Sequence, residues 1–124
     1  MKILLVEKRL HQGSKMQHVL EAFGHHVDVS KNFDAAQLVL DTFHYDLVIA
    51  DIPKYNQSSF DFIAYVKDQK KLPVIAMTTD NNFSAAFRIL KFEPTDIIVT
   101  PEDEKNLVEL QHTLSTSFYP FNLN

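Results

Sequence analysis

Three polar residues stand directly after short apolar runs of the sequence and are the first candidates for chemistry. Glu7, Asp51 and Thr78 follow the first, third and fourth of five such runs. If the runs are strands of an open parallel sheet, their carboxyl ends share one edge, beyond which such sheets bind ligands. A single strand-end carboxylate often only caps the next helix or is solvated. The three residues together therefore predict a site that holds two carboxylates and a hydroxyl.

The elements that must position these residues alternate regularly along the chain. Five apolar runs rich in β-branched side chains predict strands at 3–6, 26–29, 46–50, 72–77 and 96–99. Amphipathic stretches between and after them predict five helices. We expect Gly24 to end the first helix, and the N-caps to be Asn32, Ser58 or Ser59, and Asp103. Strict alternation of strands and helices predicts the α/β class, with an open sheet and right-handed crossovers.

Apolar positions at helical spacing predict which side chains face the core. In the first three helices these positions are Met16, Val19, Leu20, Phe23, Ala36, Leu38, Val39, Phe43, Phe62, Ile63 and Val66. Met16, Val19, Leu20 and Phe23 recur at spacings of three and four residues, which places them on one side of a helix.

Composition excludes several classes of function. A chain of 124 residues with 45% hydrophobic residues suits one domain. The absence of cysteine excludes disulfides, iron–sulfur clusters and thiol catalysis. A net charge of −4 argues against nucleic-acid binding, and no apolar run approaches the roughly 20 residues of a membrane span. We therefore expect a cytoplasmic protein. With two glycines, the chain also lacks the glycine-rich phosphate loop of a flavin or nucleotide enzyme.

Five segments, in order and at matching spacing, carry a resemblance to a known family. They are 2–7, 23–27, 45–51, 72–78 and 96–101. Together they resemble the receiver domain of two-component response regulators, over about residues 2 to 115. The resemblance implies a single three-layer, doubly wound, flavodoxin-like α/β domain with five helices and a five-stranded parallel sheet of order 2-1-3-4-5.

The domain is expected over residues 1–117, and an aromatic C-terminal tail over 118–124. Two interpretations of the tail stay open. Its aromatic side chains either pack back on the last helix or form a short segment for docking or dimer contact.

The resemblance implies a role for each matching residue. Asp51 matches the phosphoacceptor that takes a phosphoryl group from a partner histidine kinase, and Thr78 matches the switch hydroxyl that hydrogen-bonds that group. Glu7 matches the first of two acidic residues that hold Mg²⁺ together with Asp51, and Pro53 matches a backbone carbonyl ligand of the metal. Pro101 matches a proline that a cis peptide bond usually precedes.

Three departures from the family pattern bear on chemistry and output. The second acidic position is Lys8, the catalytic lysine position is Thr100, and the aromatic switch position is Ile97. An ammonium beside a divalent cation repels it. We therefore expect Mg²⁺ binding to be weak or absent, with Lys8 paired to Asp51 or Glu7. The alternative is that Lys8 substitutes for the missing lysine.

The leading hypothesis is a receiver-like signalling module that works through protein–protein contacts, with weak or no phosphorylation. Its protein partner would be a histidine kinase or a downstream signalling protein. The resemblance places the partner and homodimer surface on helix 4, strand 5 and helix 5, where Ile97, Phe87 and Phe92 lie. The alternative is a working phosphoacceptor, whose only catalysis would be self-catalysed phosphoryl transfer to Asp51.

Overall fold

The computed structural model describes residues 1–52, 56–78 and 96–99, of which 10–13 and 96–99 are described through their backbone alone. Its five strands are β1 Lys2–Val6, β2 His26–Ser30, β3 Leu47–Asp51, β4 Val74–Thr78 and β5 Asp96–Val99. All neighbouring strands are parallel, and the sheet order is β2-β1-β3-β4-β5. The predicted α/β class, flavodoxin-like sheet and strand order are confirmed.

Helices connect the strands as the alternating pattern predicts. They are α1 Leu10–Ala22, α2 Phe33–Thr42 and α3 Gln57–Ala64, which continues into a π-helical turn at Tyr65–Gln69. The predicted fourth and fifth helices and the predicted tail lie outside the described residues.

Local side-chain hydrogen bonds fix where the helices begin. The Asn32 side chain accepts a hydrogen bond from Ala35 N at 2.8 Å, as its predicted N-cap role requires. The prediction of Ser58 or Ser59 as the next cap is wrong, because the helix begins earlier. Asn56 caps α3, and its Oδ1 accepts from Ser59 N at 3.0 Å. At the end of α1, Gly24 has the left-handed φ of +95° that glycine adopts without strain.

Side chains alternate between the two faces of the sheet and build two core clusters. One face packs under α2 and α3 and includes Leu4, Val6, Val48, Ala50, Val74 and Ala76. The other packs under α1 and includes Ile3, Leu5, Leu47, Ile49, Ile75 and Met77. Because β1, β3 and β4 are buried on both faces, their sequences are almost continuously apolar.

Three apolar side chains predicted to face the core are exposed instead. Phe23, Leu38 and Phe43 are 50%, 70% and 58% exposed. Phe23 and Phe43 lie just beyond the last residues of α1 and α2, so helical periodicity no longer orients them. Within α2 the buried positions are Ala36 and Leu40, four residues apart, which leaves Leu38 on the solvent side.

A buried tyrosine joins the strands at the amino-terminal edge of the sheet. Tyr45 is 3% exposed, and its hydroxyl donates a hydrogen bond to Asp28 Oδ2 at 2.6 Å. Burial is the main cause that raises the pKa of Tyr45 above its ordinary range, and the hydrogen bond to Asp28 adds to it. Lys2 Nζ lies 4.9 Å from the centre of the Tyr45 ring. This contact set ties β2 to the turn that enters β3.

We expect Tyr45→Phe to lower the free energy of unfolding by about 1 kcal/mol at pH 8, because Asp28 Oδ2 loses the hydrogen bond from the Tyr45 hydroxyl. A raised pKa in the folded state stabilises the protein fully below the unfolded value of about 10, and that contribution falls as the pH rises toward the folded value. The difference between wild type and variant, measured by urea unfolding, should therefore shrink above about pH 10. A difference independent of pH would contradict this account.

We expect Asn56→Ala to lower the free energy of unfolding by about 1 kcal/mol, because Ser59 N then loses its acceptor. Asn56→Ser is the matched control, since serine also caps helices, and it should retain most of the stability. Urea unfolding measures both variants. An equal loss in the two would show that Asn56 does not act as the cap.

Candidate functional site

The strand register brings the predicted site positions to one edge of the sheet. The parallel register of β1 with β3 places Glu7 and Asp51 at the same level, immediately after Val6 and Ala50. The register of β3 with β4 pairs Asp51 with Met77, one residue before Thr78. The three positions therefore lie at the carboxyl ends of three adjacent strands.

Burial differs sharply among the three side chains. Glu7 is 1% exposed, Thr78 is also buried, and Asp51 is half-buried. The backbone N of Glu7 donates to Ser30 O at 2.9 Å, which continues the hydrogen bonding between β1 and β2 by one residue. A carboxylate removed from water in this way is costly unless it is paired and hydrogen-bonded. The partner of Glu7 is therefore the central question of the site.

That partner is Arg9. Its Nε donates to Glu7 Oε1 at 3.1 Å, and its Nη2 lies 3.5 Å from Oε2. The backbone N of Arg9 also donates to Oε1, at 3.0 Å. Both carboxylate oxygens thus face a guanidinium that is itself 57% exposed. One residue satisfies the buried charge through its main chain and its side chain together.

Lys8 does not take this position. Its side chain is exposed, and within the described residues it forms no ion pair. The cation beside Glu7 is Arg9, so Lys8 is not the partner of Glu7. The predicted pairing of Lys8 with Asp51 stays a prediction. The guanidinium reaches both oxygens with donors in one plane, which a single ammonium cannot do. A role for Lys8 as substitute cation stays a prediction.

Sequence reasoning missed Arg9 because it compared only the positions where the family carries acids. The signal was nevertheless present. A carboxylate that directly follows a doubly buried strand must itself be buried, and it requires a nearby cation. Of the two cations that follow Glu7, only arginine presents a planar set of donors.

The described residues do not fit a Mg²⁺ ion held by Glu7 while Arg9 is in place. Magnesium requires oxygen ligands in near-ideal octahedral geometry, and both Glu7 oxygens already face N–H donors of Arg9. No group of three or more metal-ligating side chains is found in the described part of the chain. Asp51 is the remaining described ligand of the predicted set.

Several predicted site residues cannot be compared with the structure. Ile97 belongs to β5, opposite Ala76 in β4, and only its backbone is described. The others lie outside the described residues: Pro53, Phe87, Phe92, Thr100 and Pro101. The predicted carbonyl ligand, output face, missing-lysine position and cis peptide bond therefore stay predictions.

Comparisons with known proteins agree with this fold. A family model for the response regulator receiver domain matches residues 3–112. A two-component response regulator from Clostridium difficile is similar in structure, with a TM-score of 0.83, 20% identity and coverage of 98% of each chain. A search of the curated proteins gave no match.

Two further solved structures are similar to this chain. The chemotaxis response regulator CheY4 of Vibrio cholerae has a TM-score of 0.76 at 20% identity, covering 91% of this chain and 97% of its own. The response regulator TrrA from Thermotoga maritima, solved in complex with Mg²⁺-BeF, has a TM-score of 0.74 at 21% identity, with the same coverage. At these identities the likeness concerns the fold.

We expect Arg9→Ala to lower the free energy of unfolding by about 1 to 3 kcal/mol, because it leaves the buried Glu7 carboxylate without its guanidinium. Lys8→Ala is the matched control, since it removes the same charge one residue earlier from an exposed position, and should change stability by less than about 0.5 kcal/mol. Urea unfolding without divalent cations measures both. Similar losses in the two variants would contradict the assignment of Arg9.

Proposed function

Because this chain belongs to the response regulator receiver family of two-component signalling, we propose that it is a receiver module that signals through protein–protein contacts, with weak or no phosphorylation of Asp51. The observation that carries the proposal is Lys8, which stands where the family has its second metal-binding acid. Its position is exposed at the carboxyl-terminal edge of the sheet, next to the buried Glu7.

Phosphoryl transfer explains why this residue matters. The transferred group spreads negative charge over its oxygens, and the receiver family neutralises that charge with Mg²⁺ and a lysine. Here the second acid is Lys8, and the lysine position is Thr100. Lys8 removes a carboxylate ligand of the metal, and Thr100 removes the positive charge that would neutralise the phosphoryl oxygens. Magnesium binding by this chain is therefore proposed to be weak.

Contacts with other proteins would then carry the signal. We assign the partner surface to the predicted helix 4, strand 5 and helix 5 face, with Ile97, Phe87 and Phe92 as its apolar residues. A histidine kinase or a downstream signalling protein is the proposed partner, and a second copy of the chain could use the same face. No helix among the described residues is long and apolar enough to cross a membrane. We place the module in the cytoplasm.

The alternative function is a working phosphoacceptor. The juxtaposition of Asp51 with the buried Thr78 favours it, because an acceptor and a switch hydroxyl are the groups that such a reaction needs. In that case Lys8 would supply the positive charge of the absent lysine from the same edge of the sheet.

Acetyl phosphate with Mg²⁺ distinguishes the two functions. We expect intact-mass measurement to find little or no phosphorylated wild-type protein, because neither the second acid nor the lysine is present. The triple variant Lys8→Asp, Arg9→Ala, Thr100→Lys restores both family residues and removes the guanidinium from Glu7, and it should gain one phosphoryl group. Asp51→Asn in that background should lose it. Stable phosphorylation of the wild type that Asp51→Asn abolishes would establish the working phosphoacceptor instead.

A further inference from the structure

We infer that the Arg9 guanidinium takes the place of the divalent cation at Glu7, so that metal binding in this pocket requires Arg9 to leave. The inference deepens the proposed function, on which it rests, because it identifies the residue that keeps the receiver pocket free of metal. Arg9 is a positioning residue here: it acts on Asp51 chemistry only through Glu7 and the metal.

The geometry places Arg9 against Glu7 through both its main chain and its side chain. Its backbone N and its Nε both donate to Glu7 Oε1, at 3.0 and 3.1 Å, while Nη2 faces Oε2. Arg9 is also the N-cap residue of α1, with extended backbone. The main-chain contact holds the residue at the entry to α1, and the side chain then closes back over the carboxylate. An ion that coordinated either oxygen would compete with these donors and would lie against the positive guanidinium.

Electrostatics favours the guanidinium over an ion. Arginine stays protonated in proteins, so a change in pH near neutrality does not release it. The two carboxylates at the edge, Glu7 and Asp51, are matched in sequence by the two cations Lys8 and Arg9. A divalent ion would therefore enter a neutralised pocket rather than an acidic one, and it would meet a like charge at its first ligand.

Lys8 and Arg9 are adjacent and carry the same charge. Variants of the two residues therefore show whether metal affinity depends on the direct contact with Glu7 or only on the net charge near it. Arg9→Ala and Lys8→Ala each remove one positive charge within two residues of Glu7. If net charge alone sets the metal affinity, both variants should gain equally. If the inference is correct, only the Arg9 variant frees the Glu7 oxygens and gains binding.

The experiment is a Mg²⁺ titration of the full chain by calorimetry, repeated with Mn²⁺ while NMR line broadening locates the ion. We expect Arg9→Ala to bind Mg²⁺ about tenfold or more tightly than wild type, and Lys8→Ala to stay within about threefold. Broadening in Arg9→Ala should centre on the residues around Glu7 and Asp51. Adding Asp51→Asn to Arg9→Ala should remove most of the gain.

Arg9→Gln provides a second variant if Arg9→Ala fails to fold, because glutamine keeps a neutral donor for the carboxylate. It should also bind Mg²⁺ more tightly than wild type. The inference is overturned if wild type binds Mg²⁺ as tightly as the Arg9 variants, or if Lys8→Ala gains as much as they do. The Mg²⁺ titration contains no phosphoryl donor, so its result does not depend on whether Asp51 can be phosphorylated. Phosphorylation of the wild type by acetyl phosphate would overturn the proposed function, whereas the titration alone decides this inference.

Discussion

Burial of the three central strands on both faces is the constraint from which the rest of the structure follows. Strands β1, β3 and β4 present apolar side chains alternately to α1 and to the α2–α3 layer. A polar side chain has no place within those strands, because its desolvation would not be offset. Polar groups therefore collect where the strands end. The parallel register then brings the ends of different strands to one edge.

Glu7 shows what this arrangement costs. It lies one residue past β1, is almost fully buried, and carries a charge that needs a partner. A receiver domain can meet that need with a metal ion, as the family resemblance implies. This chain meets it with Arg9, a cation attached to the same stretch of backbone. The same kind of buried carboxylate can thus be paired with a metal ion or with a neighbouring guanidinium.

The carboxyl-terminal edge of the sheet carries both residues that match the receiver family and residues that depart from it. The fold and the family match make the chain a receiver domain. Asp51 and Thr78, which match the family's acceptor and switch hydroxyl, lie at this edge, and Lys8 and Arg9 add two positive charges to the sequence beside it. Loss of metal-assisted chemistry would leave the scaffold and its surfaces intact, since neither cation contributes to the two core clusters.

The sequence alone determined the strands, their α/β alternation and the positions of Glu7, Asp51 and Thr78 at one edge, because strands buried on both faces leave long apolar runs that end abruptly. It did not determine which side of α2 is buried at Leu38, or that Asn56 rather than a serine begins α3. The residue types favour arginine as the partner of Glu7, but the path of the chain from β1 into α1 decides where that arginine lies. Lys8 and Arg9 carry the same charge, and only the path of the chain into α1 brings the guanidinium, rather than the ammonium, over the buried carboxylate.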